Sequence, residues 1–162
     1  MVELTFCVPY ISLLELAQKV FAEHPRSHRI RKNILHVEVQ DIPSLRLTGD
    51  AIIARGVAAE TLRRMNTSMP LIELPVTGYD ILNAVHECKT RFEAKKIACM
   101  GSQYLSYGTP GIARATDTEL WYYQISNEED GSRHVSDAID RGADAIVGGL
   151  MVTKLATRSE ER

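Results

Sequence analysis

The stretch Asp50-Ala51-Ile52-Ile53 returns 94 residues later as Asp144-Ala145-Ile146-Val147. Each copy is an apolar run that follows an aspartate and leads into a glycine, a pattern typical of a buried strand that ends in a tight turn. Cys7 and Cys99 also occupy comparable places, 92 residues apart, in the run that opens each half. We interpret these matches as a faint internal repeat, which predicts two similar halves. Chance recurrence of short apolar strings is the alternative.

Strand-like and helix-like segments alternate along the whole chain. Helices are predicted to begin at Gly56 and at three capping boxes, over residues 12–15, 77–80 and 126–129. Strands that are separated by helices pair in parallel, so the alternation predicts a mostly parallel sheet of the α/β class. The predicted strands cover residues 4–8, 34–39, 50–55, 71–74, 97–100, 119–125 and 144–147.

Two connections do not fit a regular alternation. Only nine residues, 41–49, separate the second and third strands, which is too few for a helical crossover. We therefore expect a single-turn link there or a different strand order, with 34–39 at a sheet edge. Residues 101–118 read as a loop with a broken helix.

Composition and charge exclude several classes of protein. The chain has 162 residues, and 19 basic against 21 acidic side chains give a net charge of −2, so nothing favours nucleic acid as a direct partner. No apolar run approaches the roughly 18 residues that span a bilayer. Cys7, Cys88 and Cys99 are an odd number of cysteines in apolar segments, which indicates reduced thiols in the cytoplasm.

Glycines mark four predicted strand ends, at Arg55-Gly56, Thr77-Gly78, Gly101-Ser102 and Gly148-Gly149. Parallel sheets bind ligands at this end, where helix N-termini present unpaired N–H groups and glycine lets a ligand approach the backbone. Arg55 adds a planar set of donors that suits a carboxylate. We expect a cleft for a small anionic or polar molecule. Ordinary tight turns and a surface ion pair of Arg55 are the alternative.

Catalytic and cofactor signatures are absent from the sequence. There is no phosphate-binding glycine loop, and the five histidines show no metal-ligand spacing, so no cofactor or metal is expected. One enzymatic alternative uses Cys7 and Cys99 as a paired acid and base, as in cofactor-independent racemases. Buried, inert cysteines are the competing interpretation.

Residues 50–56 and 62–64 resemble the N-terminal sensor domain of propionate-catabolism activators, the PrpR N-terminal family. The similarity continues through 70–74 and 77–82, and it resumes at 95–98, 126–130 and 142–149. It covers nearly the whole chain, with a patchy stretch between 101 and 118. Family members commonly show Arg-Gly-Gly-Thr-Ala where this chain has Arg55-Gly56-Val57-Ala58-Ala59, so a hydroxyl and a glycine are missing here.

The resemblance implies a cytoplasmic, effector-sensing domain of a sigma-54-dependent activator, not an enzyme. It implies two pseudo-symmetric Rossmann-like lobes, residues 1–76 and 77–162, with a fold similar to that of periplasmic-binding proteins and chelatases. We expect the second lobe to be cut short, because the chain is expected to be a fragment of a longer protein. The family's propionate members respond to a tricarboxylate and carry downstream ATPase and DNA-binding domains. We also expect a homo-oligomer; a purely structural dimerisation module is a further alternative. The predicted effector contacts between the lobes are Arg55, Gly56, Thr77, Tyr79, Asp80, Ser102, Gly148 and Gly149.

Overall fold

The structure is a computed structural model, and it describes residues 1–101 and 108–160. The chain divides into two compact units, Met1–Pro75 and Val76–Arg162. Each unit is an α/β sandwich built on its own parallel sheet. The predicted fold class is therefore confirmed.

The first unit has four parallel strands in the order β2-β1-β3-β4. Helix α1 covers one face of the sheet, where its Ala17 packs with Phe6 and Val8. A 3-10 helix and α2 cover the other face, where Cys7 and Ile52 are fully buried. The elements are β1 (Val2–Val8), α1 (Ile11–Glu23), 3-10 helices at Ser27–Arg29 and Val39–Ser44, β2 (Ile30–His36), β3 (Ala51–Arg55), α2 (Gly56–Arg64) and β4 (Leu71–Leu74).

The second unit has three parallel strands in the order β6-β5-β7. Helices α3 and α4 lie on the face that carries Ile97 and Cys99, and α5 and α6 lie on the face that carries Ala98 and Met100. The elements are α3 (Gly78–Phe92), β5 (Lys96–Gly101), α4 (Thr109–Thr116), β6 (Glu119–Gln124), α5 (Glu128–Asp140), β7 (Ala145–Gly148) and α6 (Leu150–Glu160).

The repeated aspartates have the same structural role in both units. The carboxylate of Asp50 accepts a hydrogen bond from the backbone N–H of Glu3 at 2.7 Å. The carboxylate of Asp144 accepts two, from the N–H groups of Lys95 and Lys96, each at 2.8 Å. Each aspartate therefore joins the start of β3 or β7 to the start of the central strand. The sequence repeat therefore corresponds to a repeated structural role in the two units.

The two cysteines do not occupy equivalent positions. Strand pairing aligns Leu4 with Ala51 in the first unit and Ile97 with Ala145 in the second, which makes Met100 the counterpart of Cys7. Cys99 is thus displaced by one residue. Because successive side chains of a strand point to opposite faces, the two thiols belong to opposite faces of the repeated sheet.

Three local predictions are corrected by the structure. Strand β2 begins at Ile30 and not at residue 34, because an edge strand tolerates the exposed charges of Arg31 and Lys32 that obscure its apolar pattern. Helix α1 begins at Ile11, so Ser12 is already inside its first turn and the capping box there is wrong. Helix α5 is capped by Asn127, whose side chain accepts from the N–H of Asp130, and not by a box that starts at 126.

The irregular connection between β2 and β3 agrees with its prediction. Residues 39–44 form a short 3-10 helix, and the strand order places β1 between β2 and β3. The fully buried Ile42 anchors this short link against the sheet in place of a longer helix. In the stretch 101–118, helix α4 covers Thr109–Thr116, and residues 102–107 lie outside the described part of the chain.

Candidate functional site

The carboxyl ends of β1 and β3 form the topological switch point of the first sheet. From β1 the chain crosses to β2 on one side, and from β3 it continues to β4 on the other. Ligands of open α/β sheets bind at such a point, because the two following helices leave in opposite directions and open a crevice. Here those helices are α1 and α2.

Both helices begin without side-chain capping. Within the described residues, the N-cap side chains of α1 and α2, Tyr10 and Arg55, accept no capping hydrogen bond, and neither first turn contains an acid. The first N–H groups of a helix have no partner within the helix and carry its positive dipole end. Helix ends of this kind are places where proteins commonly bind anions.

Arg55 and Gly56 connect β3 to α2. Arg55 is partly buried and extended, with φ −134° and ψ 144°. Gly56 follows at φ +58°, a left-handed conformation that glycine adopts without strain, and no described atom lies within 4 Å of a Cβ added there. The glycine is therefore required by the backbone turn, and the space beside it is open.

Two residues at this edge were missed in the sequence. Tyr10 follows β1 by two residues, and His36 ends β2 in register with Val8 at the end of β1. The signal that could have found them is their position just past an apolar strand run. For His36 this required the true end of β2, which the charged residues of that strand obscure.

Two of the predicted effector contacts at the start of α3 cap the N-terminus of that helix. Thr77 is its N-cap, and its hydroxyl accepts from the N–H of Asp80. The Asp80 carboxylate in turn accepts from the N–H of Thr77 at 2.7 Å and from its hydroxyl at 2.8 Å. These two residues thus form the predicted capping box. Tyr79 is 79% exposed, so it is not part of the core.

The remaining predicted contacts follow β5 and β7. A Cβ at Gly148 would lie 2.6 Å from Cβ of Val152, so this glycine is needed for α6 to pack against the end of its strand. Gly149 has no described atom within 4 Å of an added Cβ, and it occupies the repeat position of Arg55. Ser102 lies outside the described residues.

The cysteines have no features of a catalytic pair. Cys7 is fully buried, and burial raises the pKa of its thiol. Burial raises the pKa of Cys99 to about 12, so neither side chain is a ready thiolate at neutral pH.

None of the helices in residues 1–101 and 108–160 is long and apolar enough to cross a membrane. In the same ranges, no three histidine, cysteine, aspartate or glutamate side chains are grouped to hold a metal ion.

The fold and the switch-point site define a class, the Rossmann-like domains that resemble periplasmic-binding proteins. Residues 43–160 match the family model PrpR_N, propionate catabolism activator, and the chain belongs to this family. This membership makes it a sensory domain of a transcriptional regulator. None of the curated proteins matches it significantly.

Solved structures with the same fold are distant in sequence. An NtrC family transcriptional regulator from Clostridium acetobutylicum is 21% identical with a TM-score of 0.79, over 98% of this chain and 83% of that one. An ABC domain in complex with L-Trp from Streptococcus pneumonia is 13% identical, with a TM-score of 0.56 over 99% and 70%. A LacI family regulator from Arthrobacter sp. FB24 in complex with lactose is 12% identical, with a TM-score of 0.50 over 99% and 73%. These likenesses concern the fold alone.

Proposed function

We propose that this chain senses a small carboxylate-bearing effector in the cytoplasm for a sigma-54-dependent transcriptional activator. The observation that carries the proposal is the pair of helix N-termini, α1 and α2, that begin without caps or acids at one switch point. Membership of the propionate catabolism activator family supports a carboxylate as the ligand.

Arg55 and the first N–H groups of both helices carry the recognition in this proposal. A guanidinium binds a carboxylate through two parallel hydrogen bonds, and the helix N-termini bind a second carboxylate group without a further charged side chain. Val57 stands where relatives commonly have glycine, so we expect a ligand that differs from theirs in size or hydroxyl content. Effector contacts of Thr77, Tyr79, Asp80, Ser102, Gly148 and Gly149 stay predictions.

The binding free energy becomes a signal only if it differs between two states of the domain. A coupling of about 1–3 kcal/mol is typical of such regulation. We infer that the effector favours one arrangement of the domain, which then engages or releases the downstream ATPase and DNA-binding region.

The first test is a thermal-shift screen of the 162-residue chain with di- and tricarboxylates, sugars and amino acids. A ligand at about 100 times its Kd stabilises the folded state by about 2.7 kcal/mol, which is a readily measured shift. We expect a carboxylate to give this shift, and Arg55→Ala to abolish it. Arg64→Ala removes a guanidinium from the other end of α2 and is the matched control.

Ser12→Asp tests the helix ends separately from Arg55. Ser12 is exposed in the first turn of α1, where an acid interacts favourably with the dipole and stabilises the free domain by about 0.5 kcal/mol. The same charge repels an anionic ligand. We therefore expect Ser12→Asp to raise the melting temperature without ligand and to weaken carboxylate binding, and Ser12→Asn to do neither. Unchanged binding in Ser12→Asp would exclude this edge as the effector site.

A further inference from the structure

The edge strands of the two sheets differ in how they are protected from pairing with other chains. An exposed edge is a template for another strand, and proteins protect it with charges, prolines or short length. Strand β2 has the exposed Arg31 and Lys32. Strand β4 has four residues and lies between Pro70 and Pro75. Strand β7 also has only four residues.

Strand β6 is less protected, because its one charge is that of Glu119 at its first position. Its six residues, Glu-Leu-Trp-Tyr-Tyr-Gln, contain no proline, glycine or basic side chain, and four of them are apolar or aromatic with high strand propensity. In the part of the chain that the structure describes, β6 pairs only with β5. We propose that two copies of this chain associate through β6, antiparallel, and join their three-stranded sheets into one.

The backbone of β6 fixes the register of this pairing. The N–H groups of Glu119 and Ile125 bond to carbonyl groups along β5, at 2.7 and 2.8 Å. Alternate residues of a strand direct their backbone groups to opposite sides, so Leu120 and Gln124 direct theirs away from β5. We expect Leu120 of one copy to pair with Gln124 of the other in an antiparallel ladder. The two-fold axis then creates the same pair a second time, so the outward backbone groups of both residues are bonded in both copies.

This register also places aromatic side chains opposite each other. Trp121 of one copy then faces Tyr123 of the other, in the closely spaced type of antiparallel pair. Aromatic residues and arginine dominate the binding energy of protein interfaces. The pairing thus brings together residues of the kind that hold two chains.

The aromatic side chains are already held in place within one copy. The Arg141 guanidinium lies 4.2 Å from the centroid of the Trp121 ring. The Tyr123 hydroxyl donates to the Asp137 carboxylate at 2.6 Å and accepts from Arg141 at 2.7 Å. Side chains that are ordered before association lose little conformational entropy on binding, which favours the interface.

The charges of β6 permit pairing with a second copy. Its only charged residue is Glu119, at the first position, so antiparallel pairing puts the two carboxylates at opposite ends of the ladder. Like charges directly opposite each other, which would destabilise the pair, are avoided. The charge of Glu119 is therefore compatible with a second copy as the occupant, and the facing Trp121 and Tyr123 side chains favour it.

The test is sedimentation velocity of the 162-residue chain over a range of concentrations. Gln124→Pro removes an N–H that points away from β5, so it blocks the pairing without disturbing the chain's own ladder. We expect a dimer in the wild type, a Kd at least about tenfold higher in Gln124→Pro, and an unchanged Kd in Gln124→Ala. Gln124→Lys, which adds an edge charge and keeps the N–H, is expected to weaken the dimer if the proline variant is poorly folded.

Two results would overturn the proposal. One is a wild type that stays monomeric at every concentration, which would assign the edge to a strand from a different protein. The other is a dimer whose Kd is the same in Gln124→Pro, Gln124→Lys and the wild type. A double change of Arg31 and Lys32 to glutamine, on β2, is the control and should leave the dimer intact.

Discussion

The two units share one plan but differ at the ends of their strands. Each has a central strand that is joined to its neighbour by a repeated aspartate, Asp50 or Asp144. In the first unit the link from β2 to β3 is a short 3-10 helix, whereas in the second unit the corresponding link, from β6 to β7, is the thirteen-residue α5. Arg55 ends β3, and the corresponding position after β7 is Gly149.

Helix capping also varies among the helices of the two units. Helices α3 and α5 of the second unit have side-chain caps and acids in their first turns, whereas α4 of that unit, as far as the structure describes it, has neither. In the described residues of the first unit, α1 and α2 have neither. A capped helix end is already satisfied and repels anions, whereas an uncapped one attracts them. Uncapped helix starts therefore occur in both units, and the difference in charge at these strand ends is Arg55 of the first unit, where the second unit has Gly149.

The largest expected effect compares equivalent core positions. Ile52 is fully buried, and its repeat counterpart Ile146 is only partly buried. We expect Ile52→Ala to lower the free energy of unfolding by about 3 kcal/mol, because it leaves a cavity that the sheet and α2 cannot fill. Ile146→Ala should cost clearly less. Urea unfolding of both variants measures the difference, and equal costs would contradict the comparison.

A smaller loss of stability is expected at a position where the two units differ by one methyl group. Gly148 corresponds to Ala54, whose methyl group is fully buried in the first unit. In the second unit an added Cβ would meet Val152 at 2.6 Å. Gly148→Ala should therefore lower the free energy of unfolding by about 2 kcal/mol through overpacking.

Gly149→Ala is the matched control for that variant, since it adds the same methyl group where no described atom lies within 4 Å. Thermal unfolding should show little change for it. A loss equal to that of Gly148→Ala would mean that the backbone conformation, and not the contact with Val152, requires the glycines.

The smallest effect concerns the repeated aspartates and depends on pH. Hydrogen bonds from the N–H groups of Lys96 and Lys95 lower the pKa of Asp144 below its ordinary value of 3.8. The folded state thus favours the ionised carboxylate, so its stabilisation is complete above the ordinary pKa and is lost as pH falls through the lowered one. Asp144→Asn should destabilise the domain at neutral pH, and the difference from the wild type should shrink in acid.

Asp50→Asn provides the comparison, because Asp50 accepts one such N–H bond and Asp144 accepts two. We expect a smaller loss of melting temperature at neutral pH for Asp50→Asn. The reverse order would show that the number of hydrogen bonds does not determine how strongly each aspartate holds its strand.

Local patterns were sufficient where neighbours in sequence determine the structure. Strand β4 and the capping box of Thr77 and Asp80 were predicted correctly, because a buried apolar run and a three-residue spacing are complete within one segment. The limits of β2 were wrong, because its position at the edge is a property of the whole sheet. Asn127 was missed as the cap since the end of β6 decides where α5 can start.

The sequence by itself determined the class of fold and the family. These depend on hydrophobic alternation and on short motifs, which are local. Only the tertiary structure decided that Cys7 and Cys99 lie on opposite faces of the repeated sheet, that Gly148 makes room for Val152, and that the starts of α1 and α2 share a switch point. In each case the residues are far apart in the chain. They are brought together by strand register and packing, which no local pattern encodes.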